Sequence, residues 1–418
     1  MQTRLMAKLA GFMFLQYYIW GAWYASMGAY LGSGLKFDGQ QIGLAYGAFA
    51  VGSMVAPFVV GLVADRYFAS EKMLGVLGLL GGVVLFLIPG ATTFAAFYPL
   101  LILYCATFAP TLALGNSLAL HHLRDAKRDF PRVKMLSAVG WIAGGVTVSG
   151  LGAETTADQF YLAGGLSVAF GLFAFTLPHT PPRKVGADVS VGEILGLDAL
   201  ALLRKRSFAV FIGCMFLICI PLYFYFVNMA VYLTEVGWPN VAARMTLAQV
   251  SDVVFLFLLP VMLGRFGYKR TIAVGIVAWA ARYFLLAGSV DSPAAGQTAL
   301  IFAAILLHGV CYDFLFIAGQ LYVDGEATAR MRGAAQGFIA FVLWGVGALV
   351  GTALAGAVMA AHELPSPVGP IRHDWAAIWV QPAVGAVAVL GVFLLFFREP
   401  GTAATESAEV LPPRDGTP

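Results

Sequence analysis

Leu307-His308-Gly309-Val310-Cys311-Tyr312-Asp313-Phe314 lies inside a long apolar run over residues 297–322. Histidine and aspartate are out of place in hydrocarbon. An ionised group at the centre of a spanning helix costs about 2.5–3.5 kcal/mol on insertion scales. A span that keeps both has a use for them. His308 and Tyr312 are four apart and share one helical face, with Asp313 beside it. The rest of the chain reads as a scaffold that brings other helices up to that face.

The composition sets the class. Of 418 residues, 60% are hydrophobic and 11% charged, against about 25% charged in soluble domains. Repeated apolar runs near 20 residues long point to an all-α polytopic membrane protein. They lack the alternation of an outer-membrane barrel. A net charge of +3 is too small to suggest nucleic acid as a partner. Cys105, Cys214, Cys219 and Cys311 all fall in apolar runs, as buried hydrophobes do, and suggest neither a disulfide framework nor a metal site. No nucleophile elbow, metal motif or phosphate-binding loop is found, so neither an enzyme nor a cofactor is expected. Arg4 and Lys8 precede a tyrosine- and tryptophan-rich run to about Leu31, which reads as a first span rather than a cleaved leader.

Twelve spans are expected, at 8–31, 40–64, 73–90, 95–120, 133–152, 158–178, 207–233, 242–264, 271–289, 297–322, 333–360 and 375–397. Glycine in the fifth (Gly140, Gly144, Gly145, Gly150) and eleventh (Gly337, Gly345, Gly347, Gly351, Gly356) suits close, sliding helix contacts. Lysine and arginine set the orientation. The face holding the termini and the even-numbered loops carries 21 of the 25. The opposite face has Lys36, Arg244 and Arg372, and Arg282 is inside a span. The rich face is cytoplasmic by the positive-inside rule. Residues 1–178 then form an N-terminal six-helix half and 207–397 a C-terminal one. Residues 179–206 are a cytoplasmic linker, in which Ile194, Leu195, Leu197, Leu200, Leu202 and Leu203 suggest a short amphipathic piece on the membrane surface. Residues 398–418 read as a disordered tail.

The halves echo each other. Gly61-Leu62-Val63-Ala64-Asp65-Arg66 follows the second span, and Gly264-Arg265-Phe266-Gly267-Tyr268-Lys269-Arg270 the eighth. With the topology, these loops resemble the signature loop of the major facilitator superfamily, which implies that fold and a gating role for Asp65 and Arg66. Leu15-Gln16-Tyr17-Tyr18-Ile19-Trp20-Gly21-Ala22-Trp23 and Leu35-Lys36-Phe37-Asp38-Gly39 resemble the nucleoside:proton symporter family more closely. So do Asp129-Phe130-Pro131, Gly196-Leu197-Asp198-Ala199, Val277-Ala278-Trp279 with Arg282, and Tyr312-Asp313-Phe314. They are spread over nearly the whole chain.

Polar residues inside the spans mark a candidate site. Tyr225 and Asn228 are three apart on the seventh span, Gln249 and Asp252 three apart on the eighth. Arg282 is on the ninth, and His308, Tyr312 and Asp313 on the tenth. The first half offers Gln16 and Trp20, Lys134 and Trp141. Secondary transporters of this kind bind solute and coupling ion near the midplane. A nucleobase has a flat face and an edge of donors and acceptors. Trp141, Tyr225 and Tyr312 suit the face, at about 1–3 kcal/mol per stacked base elsewhere. Asn228 and Gln249 suit the edge, and Asp252 or Asp313 the ribose hydroxyls. A sugar would want the same acceptors and one aromatic.

The resemblance implies substrate contacts at Asn228, Gln249 and Asp313. Asp252 falls where the family has glutamate, and Trp141 where it has phenylalanine. Lys134 stands in place of arginine, Ala138 of threonine, Tyr225 of glutamine and His308 of tyrosine, so the pocket is altered in detail.

Burial disfavours a charged carboxylate, so an intramembrane acid can take a proton at one face and release it at the other. Asp313 and Asp252 are the expected carriers, with His308 as a relay. Arg282 stays charged and calls for a carboxylate on the eighth or tenth span. Protons are thus the expected coupling ion. One proton crossing 100 mV yields about 2.3 kcal/mol, enough for a gradient of roughly fifty-fold. The expectation is proton-coupled nucleoside import across a bacterial inner membrane, by a protein able to act as a monomer in the lipid bilayer. Competing readings are a symporter of sugars or another polar solute, a drug exporter, and a solute sensor. The pocket's specific polar pairs disfavour export, and soluble stretches under 30 residues disfavour a sensor.

Overall fold

The computed structural model describes residues 2–58, 67–182, 197–328, 331–364 and 371–399. In chain order the long helices are α1 (Gln2–Trp23), α2 (Gly39–Phe58), α3 (Ser70–Leu87), α4 (Phe94–His122), α5 (Ala126–Gly150) and α6 (Asp158–Ala174). After a short 3-10 helix, Leu197–Arg204, comes α7 (Arg206–Glu235). The helix Leu247–Val290 is broken at Gly267 into α8 (247–266) and α9 (268–290). Then come α10 (Ala294–Glu326), α11 (Arg332–Ala361) and α12 (Trp375–Phe396). Eight of the described segments are long and apolar enough to cross a membrane, and one of those, Val241–Val290, holds both α8 and α9.

Two expectations need correction. The loop expected between the eighth and ninth spans shrinks to one residue. Gly267, at φ 72° and ψ 179°, turns the chain where a side chain would be strained. The linker helix does not simply lie on the membrane. Ala199 and Leu202 are buried, and it packs on α7 and the start of α11, while Leu200 is exposed. Between α11 and α12, Glu363–Leu364 (β1) pairs antiparallel with Arg372–His373 (β2). Asp65, Arg66, Gly196 and residues 400–418 lie outside the described residues.

Two helices approach with almost no side chain between them. A Cβ on Gly21 of α1 would come within 2.4 Å of Trp141 O on α5, and one on Gly140 within 2.2 Å of Phe14 O. Close backbone approach of this kind is how helices associate where hydrocarbon gives no hydrophobic drive. It also sets Trp20 of α1 edge-on against Trp141 of α5, with ring centroids 5.3 Å apart.

Helices α1–α6 meet α7–α12 at the end of the bundle away from the chain termini. There α2 packs along α11, and a Cβ on Gly356 would lie 2.6 Å from Gly39 O. The short helix Val241–Met245, just ahead of α8, packs on α5. Its first amides are capped from the other side of the seam. Glu154 Oε1 accepts from Ala242 N at 2.7 Å, and Ser149 Oγ accepts from Ala243 N at 2.9 Å. Conversely, Glu363 Oε1 on β1 accepts from Gly39 N, the first residue of α2, at 3.1 Å. Free amides at a helix start favour an anionic acceptor. Each set of helices therefore supplies a carboxylate to a helix start of the other.

Candidate solute and proton site

The site is built where α7, α8, α9 and α10 converge, and local irregularity shapes it. Gly309 lets α10 close on α8: a Cβ there would meet Ser251 O at 2.5 Å. Ser251 Oγ accepts from Gly309 N at 3.0 Å and donates to Leu306 O. This contact brings Asp252 beside α10. The helix α10 turns at Leu307 and winds as a π-helix over Asp313–Ile317. Such bulges recur at functional sites because they re-aim side chains and free backbone groups. Trp279 Nε1 of α9 donates to Cys311 O of α10 at 3.2 Å. Tyr283 OH of α9 donates to Pro221 O of α7, fixing Arg282 opposite Tyr225.

Arg282 is fully buried. Its guanidinium lies over the Tyr225 ring, 3.5 Å from the centroid, a contact worth about 2 kcal/mol or more when desolvated. Its Nη1 is 2.8 Å from His308 Nδ1. No direct ion pair joins it to Asp252 or Asp313, and the face of α10 turned to α9 presents the imidazole instead; the Asp252 carboxylate on α8 still lies within electrostatic reach of the Arg282 charge. Asp252 and Asp313 are close enough for their charges to act on one another. The His308 and Tyr312 rings stack, with centroids 5.8 Å apart and planes at 20°.

The buried polar atoms here lack partners. Asn228 uses neither amide atom, and Tyr225 OH, Gln249 Oε1, Asp252 Oδ1 and Asp313 Oδ2 are likewise unbonded. Each such atom costs about 1–3 kcal/mol. Together, on α7, α8 and α10, they form a surface suited to a polar solute.

The first-half candidates form a second group. Lys134 Nζ donates to Tyr17 OH at 2.8 Å and to Asn116 Oδ1 at 3.2 Å. Gln16 is buried and spends its amide nitrogen on Thr111 Oγ1 at 3.1 Å, leaving Oε1 unbonded. Trp20 stacks on Phe49 beside Trp141. Sequence reading missed Tyr17 and Asn116. Asn116 was discoverable as a lone amide in the apolar fourth span. Tyr17 shows its role only once Lys134 folds against it. His122 ends α4 and bonds Thr180 Oγ1 at 2.8 Å, while Glu71 accepts from Thr180 N at 2.9 Å. A groove of about 420 Å³ lies elsewhere, on the outer face of α7, α11 and α12. It is lined by Leu217, Pro221, Phe224, Val358 and Val389 and lacks the charged chemistry of the central site.

Among the described residues, twelve long helices, a seam closed at one end and a polar cluster between helices make the arrangement of a transporter of major facilitator type. The sequence model of the Nucleoside H+ symporter family matches residues 1–402, and the chain belongs to that family. It is 39% identical over 402 residues to YegT of Escherichia coli (strain K12), provisionally named a nucleoside transporter, with 94% of each chain covered. It is 28% identical to the nucleoside permease NupG of the same organism, over 95% of this chain and 96% of that one. The crystal structure of the nucleoside transporter NupG superposes with a TM-score of 0.85 over 95% of this chain and 100% of that chain, at 27% identity.

Proposed function

We propose that Asn228, Gln249, Asp252, Asp313, Tyr225 and Tyr312 form the solute wall of α7–α12, with His308. Lys134, Trp141 and Gln16 then face them from α1–α6. A nucleoside fits this chemistry. Its base has a face for the aromatic rings and an edge for the two amides, and its ribose hydroxyls donate to the carboxylates. The observation that carries the reading is the set of buried, unpartnered amide and carboxylate atoms on α7, α8 and α10.

Protons pass through Asp313 and Asp252. Both carboxylates keep an oxygen without a partner and lie within electrostatic reach of each other. A proton on either relieves their mutual repulsion, and solute hydroxyls then bind at the same oxygens. Arg282 adds a fixed positive charge on α9. The protein works in a bacterial inner membrane with both termini in the cytoplasm, as the lysine and arginine bias requires. With that orientation the closed end is external. Asp65 and Arg66 act as part of the cytoplasmic gate.

The test is uptake of labelled uridine and adenosine in cells lacking their own nucleoside uptake, with and without a protonophore. Accumulation that collapses with the protonophore, and is lost in Asp313→Asn, supports the reading. Membrane-inserted protein that takes up neither nucleoside would overturn it.

A further inference from the structure

We propose that Arg282 is a positioning residue that holds His308 as a neutral hydrogen-bond donor, with Nε2–H presented to an acceptor on the solute's base. The proposal rests on the nucleoside reading above and assigns His308 a task other than proton relay.

The argument is one of donor and acceptor inventory. A guanidinium has five N–H donors and no acceptor. The 2.8 Å contact between Arg282 Nη1 and His308 Nδ1 therefore requires Nδ1 to accept. An imidazole whose Nδ1 accepts is neutral and carries its proton on Nε2. Protonating Nδ1 would set two donors and two positive charges against each other at that distance. Burial at 3% exposure gives little water to soften the clash. Arg282 cannot swing away cheaply, because its guanidinium is stacked on Tyr225 and Trp279 lies 5.3 Å from it.

The surroundings complete the fixation. Tyr225 and Tyr312 flank the imidazole at 5.7 and 5.8 Å, and Trp279 stands edge-on at 6.4 Å. Among the described residues no carboxylate bonds to the ring; Asp252 of α8 acts on Arg282 and Tyr225 rather than on the imidazole directly. Among the described residues Nε2 forms no hydrogen bond. What remains is one directional donor, at the same level as Tyr312 and one residue before Gly309. Base carbonyls and ring nitrogens are acceptors of the kind it would bind. Phosphates and carboxylates would also accept, so the solute's own chemistry is part of the test.

Two measurements decide it. The first is 15N NMR of histidine-labelled protein in detergent or nanodiscs at pH 7, with His308 assigned by its loss in His308→Gln. The expected signature is an unprotonated Nδ1 and a protonated Nε2. In Arg282→Met, which keeps the stem but donates nothing, the ring should show a mixture of tautomers. A doubly protonated or Nδ1–H ring in the wild type overturns the proposal whatever the solute is. This arm does not depend on nucleoside transport.

The second is uptake by His308→Gln and His308→Phe. Glutamine retains a donor, so its KM should rise less than that of His308→Phe, and its pH profile and protonophore sensitivity should match wild type. Phenylalanine keeps a ring without a donor and should raise KM about ten-fold, equivalent to about 1.4 kcal/mol, with coupling intact. Nucleoside analogues lacking one base acceptor should then lose nothing further in His308→Phe for the acceptor that His308 contacts. Loss of protonophore-sensitive accumulation in His308→Gln, with exchange preserved, would return His308 to the proton path. Absence of any nucleoside uptake by the wild type would overturn the nucleoside reading while the NMR result stands.

Discussion

Glu154 Oε1 lies 2.7 Å from the backbone nitrogen of Ala242, across the seam between α1–α6 and α7–α12. Glu363 reaches Gly39 N across the same seam in the opposite sense, at 3.1 Å. The first contact joins the α5–α6 connection to the helix ahead of α8, and the second joins the α11–α12 connection to the start of α2. The two are equivalent places in the two sets of six helices, so the closed end is held by a reciprocal pair of carboxylate caps. Removing a helix cap costs about 0.5–2 kcal/mol. Glu154→Ala and Glu363→Ala should each move the closed-to-open balance at that end about 2- to 30-fold. Spin labels at the exposed positions Thr155 and Pro239 would read this as a growing long-distance population. An unchanged distance distribution in the double variant would mean the caps do not hold the gate.

The carboxylate pair predicts a split between coupling and exchange. With Asp313 made an amide, the path through the pair is broken, but the amide still binds hydroxyls. Asp313→Asn should lose uphill accumulation yet retain counterflow in preloaded vesicles. Asp252→Asn should raise KM about ten-fold and flatten the dependence of uptake on external pH. Wild-type uptake should rise as the outside is acidified, since protonation loads the carrier. Uptake that rises with alkalinity would contradict proton symport.

Gly309 is where two helices touch without a side chain between them. A Cβ there meets Ser251 O at 2.5 Å and Ser251 Oγ at 2.7 Å, and neither can step aside while Gly309 N is held. Gly309→Ala should separate α8 from α10, lower the melting temperature in detergent and cut uptake at least ten-fold, in keeping with overpacking costs of about 1–3 kcal/mol. Gly337, whose Cβ would meet nothing within 4 Å, is the control and should tolerate alanine.

Lys134 is held by Tyr17 OH and Asn116 Oδ1 within the first six helices. Its charge also sits 4.4 Å from the Tyr17 ring centroid. Lys134→Met removes the charge and the donors, and should raise KM about ten-fold. Tyr17→Phe keeps the ring beneath the ammonium and loses one hydrogen bond of about 0.5–1.5 kcal/mol, so KM should rise only a few-fold. A Tyr17→Phe effect as large as that of Lys134→Met would make Tyr17 itself the solute contact.

Much of this architecture was legible from the chain. Apolar runs report spanning helices because unpaired backbone is intolerable in hydrocarbon, and that demand is met run by run. Isolated polar residues at i and i+3, such as Tyr225 with Asn228 and Gln249 with Asp252, announce a shared face because the helical period is local. The α8–α9 turn at Gly267 was misjudged because a single residue at φ 72° can do the work of a six-residue loop. The β1–β2 pair was invisible because two residues per strand carry no pattern.

What the residue order determined by itself was the number and type of elements, the depth of the charged residues and the kind of chemistry available. The tertiary structure decided who meets whom. Arg282 makes its direct contact with an imidazole 26 residues on, and Glu154 caps a helix 88 residues away. Hydrophobicity is a property of each segment and survives any rotation of its helix. A hydrogen bond is directional and short, so its partner depends on helix rotation, on a π-turn at Asp313 and on glycines that let α10 close on α8. Those are settled only when all the helices pack together.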